Sequence, residues 1–255
     1  MASKKLILLT NDDGYFSDGI NALFKELSRN ARVMIVAPDR EQSASSHSLT
    51  MNRPLRMHKV DPHRYAIDGT PTDCVMMAVH MLFGKQKPDM IVSGINHGSN
   101  MGDDVTYSGT VAATIEGSIL GIPSVAMSMA DWEPGMTMAR AAKWAAKFLN
   151  SYPSLQLAPS VFLNINFPPD NSETYANFEF TKLGVRRYRD IVIRKQDPRG
   201  KPYYWIAGKP TWKRLKGSDF EAVGRRMISI TPLKLNFTDR DSLGKLRESD
   251  FRIKR

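Results

Sequence analysis

The sequence predicts an α/β fold with a mostly parallel sheet and helices on its faces. Three observations carry this. Short, unbroken apolar runs of strand length alternate with amphipathic segments of helix length over the first two-thirds of the chain. These runs are apolar at consecutive positions, as buried strands are. Polar clusters follow several runs directly, and open parallel sheets collect ligand-binding groups outside the carboxyl ends of their strands.

Residues 5–10 read as the first strand. Residues 19–29 read as a helix, with Ile20, Leu23, Phe24 and Leu27 on one face at spacings of three and four. A second strand, 32–37, is closed by Pro38, and a Ser-rich polar loop fills 39–50. A hairpin is expected over about 55–67. Thr70 as N-cap and Pro71 at the first helical position then open a helix carrying Val75, Met76, Val79, Leu82 and Phe83. Further strands are expected at 90–93, 122–127 and 161–166, and further helices at 110–120 and 136–150. The whole is a Rossmann-like arrangement.

From about residue 178 the pattern changes. Segments 178–183, 203–206 and 227–231 read as strands of an antiparallel extension, and 241–252 as a terminal helix. We therefore divide the chain into an α/β core, 1–177, and a basic extension, 178–255, within one domain. The extension has too little apolar content to form its own core, so it is expected to pack on the core or on another subunit.

Length and composition agree with this. A chain of 255 residues with 42% hydrophobic content suits one large globular domain. The run Leu6-Ile7-Leu8-Leu9 is too short for a leader core or a membrane span, so no membrane association is expected. A single cysteine, Cys74, excludes an internal disulfide and makes a cytoplasmic location the expectation. It also lacks the Arg of a Cys-x5-Arg phosphatase loop, since His80 stands there. The net charge of +10 is unevenly spread. Residues 1–177 carry 15 Lys and Arg against 17 Asp and Glu, a net of −2; residues 178–255 carry 21 against 9, a net of +12. Such a patch can steer a nucleotide, polyphosphate, RNA or a membrane surface. No nucleic-acid module accompanies it, so direct nucleic-acid binding is not the expectation.

Three polar clusters carry chemistry. In Thr10-Asn11-Asp12-Asp13-Gly14, adjacent carboxylates at a strand end repel unless a cation sits between them, and Mg²⁺ or Mn²⁺ is the usual partner. The same segment also suits an Asx turn or a helix N-cap. In the 39–48 loop, Ser43 offers a hydroxyl to a metal, Arg40 a partner to phosphate or to nearby acids, and His47 a donor to a leaving-group oxygen. A plain hydrogen-bonded loop would use the same residues. In the third cluster, Asn96 supplies a neutral amide oxygen. Ser108-Gly109-Thr110 opens a helix, whose free N–H groups and dipole suit a phosphate. N-capping by Ser108 or Thr110 is compatible with that. Asp103-Asp104 reads as structural, Asp73 as a capping residue and Cys74 as inert core.

These motifs together resemble the survival protein SurE family of metal-dependent nucleotidases. The resemblance rests on Thr-Asn-Asp-Asp-Gly at 10–14, Ala-Pro-Asp-Arg-Glu-Gln-Ser-Ala at 37–44 and Asp-Gly-Thr-Pro-Thr-Asp-Cys-Val at 68–75. It continues in Val-Ser-Gly-Ile-Asn-His-Gly at 92–98, Gly-Asp-Asp-Val-Thr-Tyr-Ser-Gly-Thr-Val at 102–111, and shorter matches at 163–166, 203–206 and 228–233. It implies hydrolysis of nucleoside 5′- and 3′-monophosphates, with short-chain polyphosphate as a further substrate. It implies one divalent cation per subunit, Mg²⁺ or Mn²⁺, on Asp12, Asp13, Ser43 and Asn96. Phosphate contacts fall on Asn96, Ser108, Gly109 and Thr110, with Asp12 and Asp13 catalytic. The basic extension is implied to exchange a hairpin and a helix between subunits in a homodimer or homotetramer. The alternative is a non-catalytic nucleotide- or RNA-binding protein that uses its basic C-terminal region. A dinucleotide oxidoreductase is disfavoured, because Asn-Asp-Asp-Gly stands where such folds need Gly-x-Gly-x-x-Gly.

Overall fold

The computed structural model describes residues 4–169, 175, 177–189, 192–206, 209–213 and 215–249. The chain opens with β1 (Leu6–Thr10), α1 (Asp18–Leu27), β2 (Arg32–Pro38), β3 (Met57–Asp61), β4 (Arg64–Ile67) and α2 (Pro71–Met77). A π-helical turn, Ala78–Phe83, prolongs α2. Then come β5 (Met90–His97), α3 (Gly109–Ile119), β6 (Ser124–Met129), α4 (Ala139–Ser151) and β7 (Val161–Phe167). The remainder holds β8 (Phe178–Phe180), β9 (Val185–Arg189), β10 (Val192–Gln196), β11 (Pro202–Ile206), β12 (Lys209–Lys213), α5 (Asp219–Gly224), β13 (Ile228–Lys234) and α6 (Arg240–Glu248).

Nine strands form one sheet in the order β3-β4-β2-β1-β5-β6-β7-β13-β8. All neighbouring pairs are parallel except β3 with β4 and β7 with β13. Strand β1 is buried on both faces, which explains its unbroken apolar run. Its alternate side chains feed two cores. Ile7 and Leu9 join Ile20, Leu23 and Leu149 on the α1/α4 face, while Leu8 joins Ile67, Val75 and Ala113 on the α2/α3 face. Chain direction across the sheet reverses at β1: β2 lies on one side and β5 on the other. That reversal opens a crevice at the carboxyl ends of β1 and β5, the expected ligand position in such sheets.

Helix α2 begins with the expected Thr70 cap, strengthened into a reciprocal capping box by Asp73. Strand β5 departs from expectation: it continues past Ser93 to His97. Gly94, at φ +130°, allows a register shift against β6, and the strand resumes pairing at Asn96 and His97.

The C-terminal region also differs in detail. The first expected extension strand shortens to β8 and runs parallel to β13 at the sheet edge rather than antiparallel. The 227–231 segment, expected in the extension, becomes β13 and pairs antiparallel with β7 in the main sheet. Burial explains this, because Ile228 and Ile230 complete the α1/α4-face core. The hairpin itself is present: β9 pairs with β12 and β10 with β11, all antiparallel. The apolar residues Val192, Ile193, Tyr203, Tyr204, Trp205 and Ile206 on it are exposed. Helix α6 buries no residue, and 250–255, which include the end of the expected terminal helix, lie outside the described residues. Among the described residues no helix is long and apolar enough to cross a membrane.

Candidate active site

The turn after β1 is built around Asn11. Its buried amide donates to the Gly14 carbonyl at 2.9 Å and to Ser17 Oγ at 2.8 Å, folding Asp12-Asp13-Gly14 over the crevice. Gly14 takes φ +99°, which a side chain would resist. Asp12 is buried. Thr110 at the start of α3 donates its hydroxyl to Asp12 Oδ1. Burial pushes the Asp12 carboxyl up to about 6; the Thr110 hydrogen bond opposes that shift and the charge of Asp13 adds to it. Asp13 Oδ2 accepts the His97 backbone N–H at 3.2 Å. Its carboxyl is also pushed up to about 6, by burial first, against the His97 hydrogen bond and with help from the charge of Glu41.

Gly109 packs against Asp12 at the start of the helix. A Cβ there would stand 2.7 Å from Ser45 Oγ and 2.9 Å from Asp12 Oδ2. Ser45 Oγ is buried and unpartnered among the described residues. Ser108 caps α3 by accepting the Val111 N–H at 3.1 Å. The hydroxyls of Ser108 and Thr110 are thus both engaged inside the protein, one with the helix and one with Asp12. Asn96, past the β5 register shift, donates its amide to the Gly98 carbonyl at 2.9 Å, which fixes the amide plane.

The 39–50 loop is anchored at several points. The Gln42 N–H donates to the Asp12 carbonyl at 2.7 Å, and the Ser46 N–H to the Tyr107 carbonyl at 3.0 Å. His47 Nε2 meets Glu116 Oε2 at 2.9 Å, and Asp73 binds the Thr50 N–H and hydroxyl at 3.0 and 2.6 Å. Ser43 stands exposed and donates to Glu41 at 2.6 Å. Arg40 pairs in bidentate fashion with Asp39 at 2.8 and 2.9 Å, so it is used on its acidic neighbour. Asp104 pairs with Arg186, and Asp103 accepts the Arg186 N–H at 3.2 Å, in keeping with a structural pair. Cys74 is buried, and desolvation pushes its thiol up, as expected of inert core.

A cleft of about 590 Å³ opens beside these groups, lined by Asp13, Glu41, Ser43 and His97, with Phe16 and Trp132 on its walls. A larger cleft of about 620 Å³ lies at the amino ends of β1 and β5, between Lys5, Asp89 and Tyr152, and contains none of this chemistry. The site therefore brings Asp12, Gly109 and Thr110 together and puts Ser43 in the same cleft as Asp13, while the side chains of Asn96 and Ser108 are bonded to Gly98 and Val111. Sequence reasoning missed Asn11, Ser45, Phe16 and Trp132. Each acts through tertiary contacts with segments distant in sequence, or through a turn whose geometry no motif spelled out.

The donor set fits a hard divalent cation. Two neighbouring carboxylates are desolvated, each raises the cost of charging the site, and among the described residues no Lys or Arg hydrogen-bonds either one. No trio of His, Cys, Asp or Glu clusters among the described residues. All-oxygen donors of this kind suit Mg²⁺ or Mn²⁺ rather than zinc.

The model of the family described as survival protein SurE matches residues 7–190. A protein named 5′-nucleotidase SurE from Geotalea daltonii is 44% identical over 243 residues, covering 95% of this chain and 98% of the relative. One of the same name from Pelobacter propionicus is 47% identical over 238 residues, covering 93% and 96%. The crystal structure of the SurE protein from Aquifex aeolicus superposes with a TM-score of 0.84 at 41% identity, covering 95% of this chain and 100% of that one.

Proposed function

This chain belongs to the survival protein SurE family, and we propose that it hydrolyses nucleoside 5′-monophosphates to nucleoside and phosphate with one divalent cation bound per subunit. The observation that carries the reading is the pair of buried, unneutralised carboxylates at the end of β1, set against the N-terminus of α3.

Asp12, Asp13, Ser43 and Asn96 would hold a divalent cation such as Mg²⁺ or Mn²⁺, which would supply Lewis-acid polarisation of a phosphoryl oxygen and a more acidic water. The chain's own groups do the rest. The start of α3 offers the Gly109 backbone N–H and the positive dipole end to the phosphoryl oxygens, since the Ser108 N–H is bonded to the Asp104 carbonyl and the Thr110 N–H to Asp12. Only a glycine fits against Asp12 and Ser45 there, and the unpartnered Ser45 hydroxyl adds a donor beside it. The Asn96 amide contributes a further contact. The Thr110 hydroxyl and the His97 N–H hold the two carboxylates in their orientations. We assign to Asp12 or Asp13 the removal of a proton from the attacking water. Trapping an acyl phosphate with hydroxylamine would instead assign direct attack to a carboxylate.

Nucleoside 3′-monophosphates and short-chain polyphosphate present the same terminal phosphoryl group and belong to the proposed substrate range. The exposed apolar hairpin and the exposed Leu243 and Leu246 of α6 support assembly through the extension, as a homodimer or homotetramer. A reducing cytoplasm suits the single buried thiol. The test is phosphate release from a panel of 5′- and 3′-nucleotides after chelation, with and without added Mg²⁺ or Mn²⁺. Release restored by metal supports the proposal. The absence of release with any metal and nucleotide overturns it.

A further inference from the structure

The cleft beside Asp13 has features that phosphate chemistry does not use. We propose that its two aromatic walls, Phe16 and the stacked Trp132–His97 pair, receive the base and ribose of the substrate and set selectivity for nucleosides over other phosphate monoesters. This rests on the nucleotidase reading and deepens it.

Local structure explains how the walls arise. In the turn after β1, Tyr15 packs onto the hydrophobic core and meets Phe16 edge to face at 5.4 Å, which leaves the Phe16 ring directed outward and 59% exposed. The second aromatic wall comes from two neighbouring strands. His97 at the end of β5 pairs in register with Met129 at the end of β6, so the chain leaving β6 brings Trp132 over the imidazole. Their rings stack at 3.9 Å with an interplanar angle of 10°. The His97 N–H is bonded to Asp13, so this aromatic slab is fixed in position relative to the carboxylates.

The cleft's volume, about 590 Å³, lies within the range of small-molecule sites. Its polar lining is acidic: Asp13, Asp18 and Glu41 contribute, and no Lys or Arg does among the described residues. Carboxylates accept hydrogen bonds from ribose hydroxyls and exocyclic amino groups. Flat aromatic walls with acceptor groups at their edges therefore match the nucleoside half of a mononucleotide, whose phosphate lies toward Gly109. A sugar phosphate or polyphosphate would leave both aromatic walls unused.

The test compares AMP with ribose 5-phosphate, which carries the phosphate without the base. Phe16→Ala is expected to lower the ratio of kcat/KM for AMP to that for ribose 5-phosphate about tenfold, through KM, the scale of one base–aromatic stack. Phe16→Trp is expected to restore it. A ratio that Phe16→Ala leaves unmoved overturns the proposal. Wild-type protein that releases phosphate from neither compound would sink the nucleotidase reading, and binding then decides the proposal separately. Titration with adenosine is expected to quench tryptophan fluorescence, with the signal lost in Trp132→Phe and the affinity weakened about tenfold in Phe16→Ala. Failure of adenosine to bind wild-type protein overturns the platform.

Discussion

Replacing Asp13 by Asn removes one of two neighbouring charges and keeps an oxygen to accept the His97 N–H. In metal-free protein burial raises the Asp13 pKa from 3.8 to about 6; the His97 hydrogen bond opposes that and the Glu41 charge adds to it. The folded state thus holds this proton more tightly than the unfolded chain does. The carboxyl costs nothing below the unfolded pKa, and stability is lost as pH rises between about 4 and 6. At pH 7.5 the accumulated penalty is roughly 3 kcal/mol. Asn does not ionise. Metal-free Asp13→Asn is therefore expected to be more stable than wild type by about 2–3 kcal/mol at pH 7.5, a Tm higher by roughly 5–10 °C for a chain of this size. The gap should close toward pH 4. Urea denaturation in chelator, followed by circular dichroism at equal protein concentrations, measures it. Added Mn²⁺ should narrow or reverse the gap at pH 7.5, because only the wild-type site binds it well. A metal-free variant that is less stable than wild type at pH 7.5 refutes the view that these carboxylates are held ready for a cation at a cost to the fold.

Three further outcomes follow from the same geometry. Gly109→Ala forces a Cβ to within 2.9 Å of Asp12 Oδ2, so turnover should fall by about a hundredfold or more while circular dichroism stays unchanged; near-normal turnover would count against the site. Asp219→Ala leaves the N–H groups of Gly102, Gly184 and Phe220, each now 2.8 Å from its carboxylate, without an acceptor in a buried place. It should cost at least about 3 kcal/mol in urea unfolding, and a loss below about 1 kcal/mol would contradict that accounting. Cys74, fully buried with its thiol pushed up, should resist a thiol-specific chromogenic reagent in the native state and react once in denaturant.

The core of the fold was legible because short apolar runs such as β1, buried on both faces, alternate with amphipathic segments of helix length. Thr70-Pro71 marked its helix for an equally local reason. Legibility failed where the outcome depended on partners far away in sequence. Nothing near 178–180 says that this strand will lie parallel to β13, and the extension of β5 to His97 depends on Gly94 fitting against Met127. The same division holds at the site. Asp12, Asp13 and the Ser108–Thr110 helix start were readable because adjacent acids and a glycine-bearing helix start have chemical meaning on their own. Phe16 and Trp132 were not, since each looks like ordinary core until the structure shows them lining one cleft. Asp219 belongs with them: its clamp on Gly102 spans 117 residues.

The central claim is that a cation on the β1 carboxylates, facing the start of α3, drives phosphate release. Its most direct test is to titrate Mn²⁺ into chelator-treated protein while following phosphate release from AMP, with Asp12→Asn and Asp13→Asn alongside. The account predicts no release without metal, release that saturates at one Mn²⁺ per chain, and loss of that release in both variants. Full release in chelator, or undiminished release from both variants, would contradict it.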